Sequence, residues 1–227
     1  MSALFVTGTG TDIGKTFVAA GLLRYLRAQG RVPHALKPVV SGFDPDAPAG
    51  SDPAVLLEAL GKPAIMDEID RISPWRFRAP LSPDMAARRE GPTLNFGALL
   101  GFCRDRIAAA EGPLLIEGVG GVMVPLDDQH TVLDWMTALG LPVLLVGASH
   151  LGAISHTLTA LAALHDRDLT VTALAISESE GSTVPLDDTL ETLAHFIGDT
   201  PLIAVRRGAA PTDAAFARLA ASFIEAP

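Results

Sequence analysis

The segment of this sequence with the clearest chemical capacity lies near the N-terminus, directly after an apolar run. It spans Gly8–Thr16 and reads GTGTDIGKT. In such a glycine-rich turn, successive backbone N–H groups can face phosphate oxygens, and the helix that begins there adds positive potential. The ammonium of Lys15 can reach the outer phosphates, and the hydroxyl of Thr16 can bind Mg²⁺. The usual spacing puts a glycine where this chain has Thr9, so the loop is one residue longer than usual. The segment predicts a nucleoside triphosphate site; the alternative is an ordinary strand-to-helix turn.

Two carboxylates are candidates for holding the metal ion that accompanies a triphosphate. Glu117 ends an apolar run and precedes the glycine-rich segment Gly118–Gly121. The carboxyl end of a buried parallel strand faces the crevice in which such folds bind ligands, and glycine permits close backbone approach. Glu117 can also be read as an ordinary strand-ending residue. Asp52 follows Ser51 at the start of a predicted helix, where a plain helix cap would explain it without any ligand.

Lysine is scarce in this chain, because only 3 of the 17 basic residues are lysines and the other 14 are arginines. Lys37 opens the segment Lys37–Gly42, which follows the second apolar run. We therefore expect Lys37 at the same sheet edge as Lys15, where it could stabilise negative charge on a transferred phosphoryl group. The alternative is a solvated lysine before a turn. Lys62, the third lysine, is predicted to be a turn residue without function.

The elements that must position these residues alternate along the chain between short apolar runs and helix-length amphipathic segments. This alternation predicts an α/β fold with a doubly wound, mostly parallel sheet and helices on both faces. The predicted strands are Ala3–Thr7, His34–Val39, Pro113–Glu117, Pro142–Val146, Leu169–Ile176 and Pro201–Val205. The predicted helices are Lys15–Gln29, Pro53–Leu60, Leu94–Ala110, Gly152–Asp166, Leu186–Ile197 and Thr212–Ile224. We predict one domain over residues 1–227, with irregular segments at Gly42–Gly50 and Asp67–Ser82.

Composition excludes several other classes of protein. The chain has 227 residues, of which 48% are hydrophobic and 19% charged, and this content excludes a disordered chain. The net charge of −9 disfavours nucleic-acid binding. Cys103 is the single cysteine, which excludes an intrachain disulfide and a thiolate metal cluster. No apolar stretch approaches the ~20 residues that span a membrane, and no N-terminal signal is visible, so we expect a soluble, cytoplasmic protein.

Taken together and in this order, these segments resemble the dethiobiotin synthetases, ATP-dependent enzymes that close the ureido ring of biotin's precursor. The resemblance covers residues 3 to about 176. It rests on Gly8–Thr16, Lys37–Gly42, Ser51-Asp52, Glu117–Gly121, Asp134-Trp135 and Leu151–Ile154. It implies a three-layer fold similar to that of the P-loop NTPases, and a homodimer whose substrate lies across the subunit interface.

The resemblance also implies a reaction, in which diaminopelargonic acid, carbon dioxide and ATP give dethiobiotin, ADP and phosphate through a carbamate and a carbamic–phosphoric anhydride. Lys15 and Lys37 would be catalytic. Thr16, Asp52 and Glu117 would hold Mg²⁺, so the resemblance favours a metal ligand over a cap for Asp52. The implied nucleotide contacts are Asp12, Ile13, Gly14, Lys15, Thr16, Phe17, Asp52, Glu117, Gly118, Val119, Gly120, Ser177, Glu178, Arg206 and Arg207. The implied substrate contacts are Thr11, Lys37, Ser41 and Gly118, with Leu151, Gly152 and Ser155 reaching the partner's site.

The sequence departs most from this family at the end that would bind the nucleotide base. Ser177-Glu178 stands where the enterobacterial form has an asparagine that reads adenine, and Arg206-Arg207 replaces a Pro-x-Leu turn. A serine cannot present the paired donor and acceptor of an amide, so we expect weak discrimination among nucleoside triphosphates, with an arginine stacking on the base. Ser155 likewise replaces an asparagine in the segment that would meet the substrate carboxylate.

Two other classes of nucleotide-binding protein are alternatives. The partition ATPases carry an additional lysine five residues before the loop lysine, where this chain has Gly10. Amidotransferase-linked ligases of cofactor synthesis carry a nucleophilic cysteine, whereas Cys103 falls on the apolar face of a predicted helix. Both features favour the synthetase over these two classes.

Overall fold

A computed structural model describes residues 2–91 and 93–224, and a parallel β-sheet forms its centre. The strands are β1 Ala3–Gly8, β2 His34–Leu36, β3 Val39–Ser41, β4 Trp75–Phe77, β5 Leu114–Glu117, β6 Val143–Ala148, β7 Val171–Ser177 and β8 Leu202–Val205. The helices are α1 Lys15–Ala28, α2 Asp52–Ala59, α3 Met66–Ile72, α4 Pro83–Glu90, α5 Phe96–Ala109, α6 Val132–Leu139, α7 Ala153–His165, α8 Leu186–Ala194 and α9 Ala214–Ile224. Six strands form the main sheet in the order β2-β5-β1-β6-β7-β8, and all of its neighbouring pairs are parallel.

The main sheet is covered on both faces, so its strands are apolar throughout. Side chains alternate between the two faces of a strand. On β1, Phe5 therefore packs into one hydrophobic core, while Leu4 and Val6 pack into the other. On the second face, α1 lies against α2 and α9. This three-layer α/β architecture confirms the predicted fold class.

One predicted strand, His34–Val39, is wrong as a single element. The chain leaves the main sheet after Leu36, and the N–H of Lys37 donates to the carbonyl of Ile72 at 3.0 Å instead of to a neighbouring strand. Pro38, which has no N–H, follows, and β3 then pairs with β4 in a separate two-stranded parallel sheet. Lys37 and Pro38 stand at this break, and a proline inside a predicted central strand is a signal against one continuous strand that the prediction did not use.

Three helices and one strand were not predicted. The segment 67–82, predicted to be irregular, contains most of α3 and the three residues of β4, and α4 follows it. The helix α6 was also missed, although Thr131 and Asp134 form a capping box at its start. In the described part of the chain, none of the helices combines the length and the apolar character that crossing a bilayer requires.

The contact between α1 and α9 gives a test of the packing. A Cβ atom at Gly21 would lie 2.1 Å from Cζ of Phe216, whose side chain is fully buried. We expect Gly21→Ala to lower the free energy of unfolding by about 1–3 kcal/mol, because the added methyl group overpacks this contact. Urea denaturation of the purified variant measures this change.

Gly101→Ala is the matched control, because Gly101 lies inside α5 and a Cβ there would have no neighbour within 4 Å. Alanine favours a helix over glycine, so we expect this variant to gain about 0.5–1 kcal/mol. Equal effects of the two substitutions would contradict the close packing of α1 on α9.

Candidate functional site

The loop between β1 and α1 has the backbone of an anion-binding turn. Asp12 and Gly14 both lie in the left-handed region, with φ of 55° and 93°, and Gly14 caps the N-terminus of α1. A Cβ atom at Gly14 would also lie 2.4 Å from Oγ of Ser177. Position 14 therefore requires glycine both for its backbone angle and for space.

Lys15 lies over this loop and is largely buried, with 7% of its surface exposed. Its ammonium donates to the carbonyl of Gly10 at 2.6 Å. Burial, reinforced by repulsion from Lys37, lowers the pKa of Lys15 from 10.5 to about 8. The negative charge around this ammonium is therefore too weak to offset its burial. The phosphates of a nucleotide would supply more negative charge.

A hydroxyl and two carboxylates meet at the start of α1. The hydroxyl of Thr16 lies 2.8 Å from Oδ1 of Asp52 and 2.8 Å from Oε1 of Glu117, so its single proton is donated to one of them at a time. Three elements contribute these groups, namely the first turns of α1 and α2 and the end of β5. Glu117 is 1% exposed.

Lys37 holds these carboxylates together. Its ammonium lies 2.7 Å from Oε1 of Glu117 and 3.0 Å from Oδ2 of Asp52, and it also donates to the carbonyl of Gly118 at 2.8 Å. Burial opposes the charge on Lys37, but the attraction of Glu117 and Asp52 outweighs it and raises the pKa of Lys37. Burial likewise opposes the charge of Asp52, and Lys37 with the Thr16 hydroxyl lowers the pKa of that carboxyl.

This oxygen set fits a hard divalent cation such as Mg²⁺. Two carboxylates and a hydroxyl are suitable ligands, and Oε2 of Glu117 is buried without a protein partner. Within residues 2–91 and 93–224, no three or more His, Cys, Asp or Glu side chains group as a metal site. Phosphate oxygens and water would therefore have to complete the coordination of the ion.

Lys15, Thr16, Lys37 and Asp52 of this cluster line a cavity of about 760 Å³, whereas Glu117, buried behind them, does not. Many predicted site residues line it: Thr11, Asp12, Gly14, Lys15, Thr16, Phe17, Lys37, Ser41, Asp52, Val119 and Gly120. Sequence reasoning missed the other lining residues, which are Gly42, Gly50, Ser51, Ser82 and a set of apolar residues that we call the apolar wall: Val40, Phe43, Leu81, Val124 and the prolines at 80 and 83. This wall depends on the pairing of β3 with β4, and no short motif signals such a pairing.

Two predicted site residues beside the loop contribute in another way. The side chain of Ile13 is buried in the hydrophobic core that contains Leu4 and Val6. Gly118 contributes its carbonyl oxygen, which accepts the hydrogen bond from Lys37.

The residues predicted for the nucleotide base lie outside the cavity, at the ends of β7 and β8. Ser177 approaches the phosphate loop beside Gly14. The backbone N–H of Arg207 donates to Glu178 at 2.9 Å, and the Arg207 guanidinium donates to Glu180 at 2.6 Å. Arg206 is exposed and donates to both carboxylate oxygens of Asp187, at 2.8 and 3.1 Å. Both arginines are therefore paired with acids.

The segment predicted to reach the partner subunit also lies outside the cavity. Gly152 is the N-cap of α7, with φ of 89°, and Ser155 lies in the first turn of that helix. The side chain of Leu151 is 84% exposed. The start of α7 thus presents a large apolar side chain and a helix N-terminus to solvent.

Known proteins share both the fold and the sequence of this chain. Residues 2–206 match the family described as the AAA domain. The MinC:MinD cell division protein complex of Aquifex aeolicus superposes with a TM-score of 0.53 at 10% identity, over 90% of this chain and 81% of that one. The signal recognition particle receptor FtsY of Elizabethkingia anophelis gives a TM-score of 0.52 at 14% identity, over 98% of this chain and 65% of that one. These likenesses show the fold of the P-loop NTPases.

Similarity in sequence is much closer to one group of enzymes. The ATP-dependent dethiobiotin synthetase BioD of Acidiphilium cryptum is 51% identical, over 88% of this chain and 91% of the relative. The enzyme of the same name from Caulobacter sp. is 53% identical, over 92% and 89%, and that of Methylobacterium nodulans is 48% identical, over 94% and 97%. With half of its residues shared over nearly the whole length of these relatives, the chain belongs to the family of ATP-dependent dethiobiotin synthetases, which are ligases of biotin biosynthesis.

Proposed function

We propose that this enzyme converts diaminopelargonic acid, carbon dioxide and ATP to dethiobiotin, ADP and phosphate. The observation that carries the proposal is the cluster of two ammonium groups, two carboxylates and a hydroxyl, most of which line a cavity that is also lined by apolar side chains. The charged cluster suits a triphosphate and a carbamate. The apolar wall suits the aliphatic chain of the acid.

The chemistry requires charge stabilisation more than a protein nucleophile. One amine of the substrate adds to carbon dioxide, loses a proton and becomes a carbamate. A carbamate oxygen then takes the γ-phosphoryl group of ATP, which gives a carbamic–phosphoric anhydride and ADP. The second amine attacks the carbamate carbon, the C–O bond to phosphate breaks, and phosphate leaves as the ring closes. The protein therefore has two tasks: it orients the reacting groups, and it stabilises the negative charge that accumulates on them.

The proposed roles follow from position and charge. Lys37 would stabilise the carbamate and the phosphoryl group in transfer, and Lys15 would bind the outer phosphates. Thr11, Ser41 and Gly118 would contact the reacting end of the substrate. The remaining nucleotide contacts would come from Asp12, Ile13, Gly14, Thr16, Phe17, Val119 and Gly120. Mg²⁺, held by Thr16, Asp52 and Glu117, would neutralise charge on the phosphates.

Two further parts of the proposal lie outside the cavity. Ser177, Glu178, Arg206 and Arg207 would flank the nucleotide base. Leu151, Gly152 and Ser155 would reach the site of a second subunit, where the N-terminus of α7 would receive the substrate carboxylate. The exposed apolar side chain of Leu151 supports burial against a partner. We propose a homodimer on this basis, with one domain over residues 1–227 in each subunit.

Replacing Lys37 tests the chemistry directly. We expect Lys37→Gln to lower the rate of dethiobiotin formation by at least about 100-fold, because a neutral amide cannot stabilise the charge in transfer. Lys62→Gln is the matched control, since Lys62 is an exposed lysine outside the cavity. Mass spectrometry detects the ring-closed product after incubation with diaminopelargonate, bicarbonate and Mg-ATP. A melting curve establishes that the variant is folded, and wild-type turnover in a folded variant would remove Lys37 from the mechanism.

The lowered pKa of Lys15 predicts a pH dependence of stability. Between about pH 8 and 10.5 the folded state binds fewer protons at Lys15 than the unfolded state, so folding becomes more favourable as the pH rises. We expect the free energy of unfolding of the ligand-free protein to rise across this window by up to about 3 kcal/mol relative to Lys15→Met. Urea titrations of both proteins at several pH values measure this difference. Parallel pH curves for the two proteins would contradict it.

The base end of the site predicts broad nucleotide use. The hydroxyl of Ser177 offers little base-specific hydrogen bonding, and both arginines are already paired with acids. We expect turnover with GTP and CTP within about tenfold of that with ATP, because one hydrogen bond contributes about 1 kcal/mol. Ser177→Asn is expected to widen the preference for ATP. A strong ATP preference in the unaltered enzyme would contradict this prediction.

A further inference from the structure

Two serines join the loops that follow β6 and β7. The backbone N–H of Ser149 donates to Oγ of Ser179 at 3.1 Å, and the N–H of Ser179 donates to Oγ of Ser149 at 3.0 Å. Backbone pairing between these strands ends with Ala148 opposite Ser177. The serine pair therefore holds the two loops together beyond the point where the backbone pairing of β6 with β7 ends.

The pair is built on a buried residue. Ser149 is 1% exposed, and its carbonyl accepts a third hydrogen bond, from the hydroxyl of Ser182 at 2.8 Å. Breaking these bonds would leave the buried N–H and carbonyl of Ser149 without partners, and burying an unpaired polar group is unfavourable. The two loops are therefore fixed to each other in the ligand-free protein.

The loop after β7 lies beside the phosphate loop, and the loop after β6 leads to the start of α7. On the β7 side, Ser177 lies against Gly14 of the phosphate loop, and Glu178 accepts the N–H of Arg207. On the β6 side, Ser149 is followed within a few residues by the exposed Leu151 and by Gly152, the N-cap of α7. The serine pair thus links the nucleotide side of the phosphate loop to the start of α7.

We propose that Ser149 and Ser179 are positioning residues that couple nucleotide binding to binding of the diamino acid. This inference rests on the proposed function, in which residues 177–178 meet the nucleotide base and residues 151–155 meet the substrate carboxylate. A nucleotide that restrains the loop after β7 also restrains the start of α7 through the shared hydrogen bonds. The start of α7 then loses less conformational freedom when the acid binds, so the affinity for the acid rises. Coupling of this kind is reciprocal, so the acid strengthens nucleotide binding by the same factor.

The test compares two substitutions of nearly equal shape at Ser179. Threonine keeps the hydroxyl and valine replaces it with a methyl group. Calorimetry measures the dissociation constant of diaminopelargonate with and without saturating Mg-ADP. In the unaltered enzyme and in Ser179→Thr, we expect Mg-ADP to raise the affinity for the acid at least about fivefold. In Ser179→Val we expect this ratio to fall by about half or more, because the bond from the Ser149 N–H is lost while that from the Ser179 N–H remains. A purely structural role would lower the melting temperature and leave the ratio unchanged.

Thr192→Val is the control for loss of a hydroxyl elsewhere, because the Thr192 hydroxyl donates to the carbonyl of Asp188 on the exposed face of α8. We expect it to keep the full ratio. If Ser179→Val does not fold, Ser149→Ala takes its place, because it removes the other hydroxyl of the pair. The effect of Mg-ADP on the affinity for the acid is then measured in Ser149→Ala. The inference is overturned if the hydroxyl-free variant keeps the ratio of the unaltered enzyme, or if the unaltered enzyme shows no coupling.

Measuring product formation distinguishes a failure of this inference from a failure of the proposed function. If the unaltered enzyme makes no dethiobiotin from diaminopelargonate, bicarbonate and Mg-ATP, the proposed function fails. If it makes dethiobiotin and Ser179→Val keeps the ratio, only the positioning role of the serine pair fails.

Discussion

The site depends on the ion pairs that Lys37 makes with Glu117 and Asp52. Glu117 is almost completely buried at the end of β5, and an unpaired charge there would be strongly unfavourable. Lys37, itself 2% exposed, is equally dependent on the carboxylates. Both carboxylates are paired with Lys37, whereas the ammonium of Lys15 bonds to the carbonyl of Gly10. The proposed triphosphate would bring further negative charge, and Lys15 together with a cation at the oxygen set would neutralise it.

This pairing explains why the chain leaves the main sheet after β2. Lys37 reaches Glu117 from a position just beyond the strand, where its N–H bonds to Ile72 rather than to a neighbouring strand. Pro38, with no N–H of its own, follows at this break. The chain then forms β3, which carries Ser41 to the cavity and pairs with β4. The break at Lys37 thus combines two features: an ammonium group beside the end of β5, and a small second sheet whose strands lead to most of the apolar wall.

The sequence predicted those parts of the site that depend on local patterns. The phosphate loop and Glu117 were visible because each follows a continuous apolar run and is marked by glycines. The break at Lys37 was missed because apolar residues stand on both sides of it, although Pro38 marks the place. The helix α6 was predictable in principle from the capping pair Thr131 and Asp134. The apolar wall was not, because β4 has only three residues and its partner lies more than 30 residues earlier in the chain.

The two lysines of the site differ in the negatively charged groups that lie beside them, and this difference is consistent with the different roles proposed for them. Lys37 has two carboxylates within 3.0 Å, and they raise its pKa, so it is charged in the ligand-free protein. Lys15 has one carbonyl partner and a pKa lowered to about 8, so its charge is poorly compensated in the ligand-free protein. Environments that separate the pKa values of two like groups commonly assign them different tasks. Lys37 is thus a charge held in place by its ion pairs, as its proposed role in stabilising the transferred group requires. Lys15 is a buried cation bonded to a carbonyl, and the phosphates that it is proposed to bind would supply the negative charge that burial makes favourable.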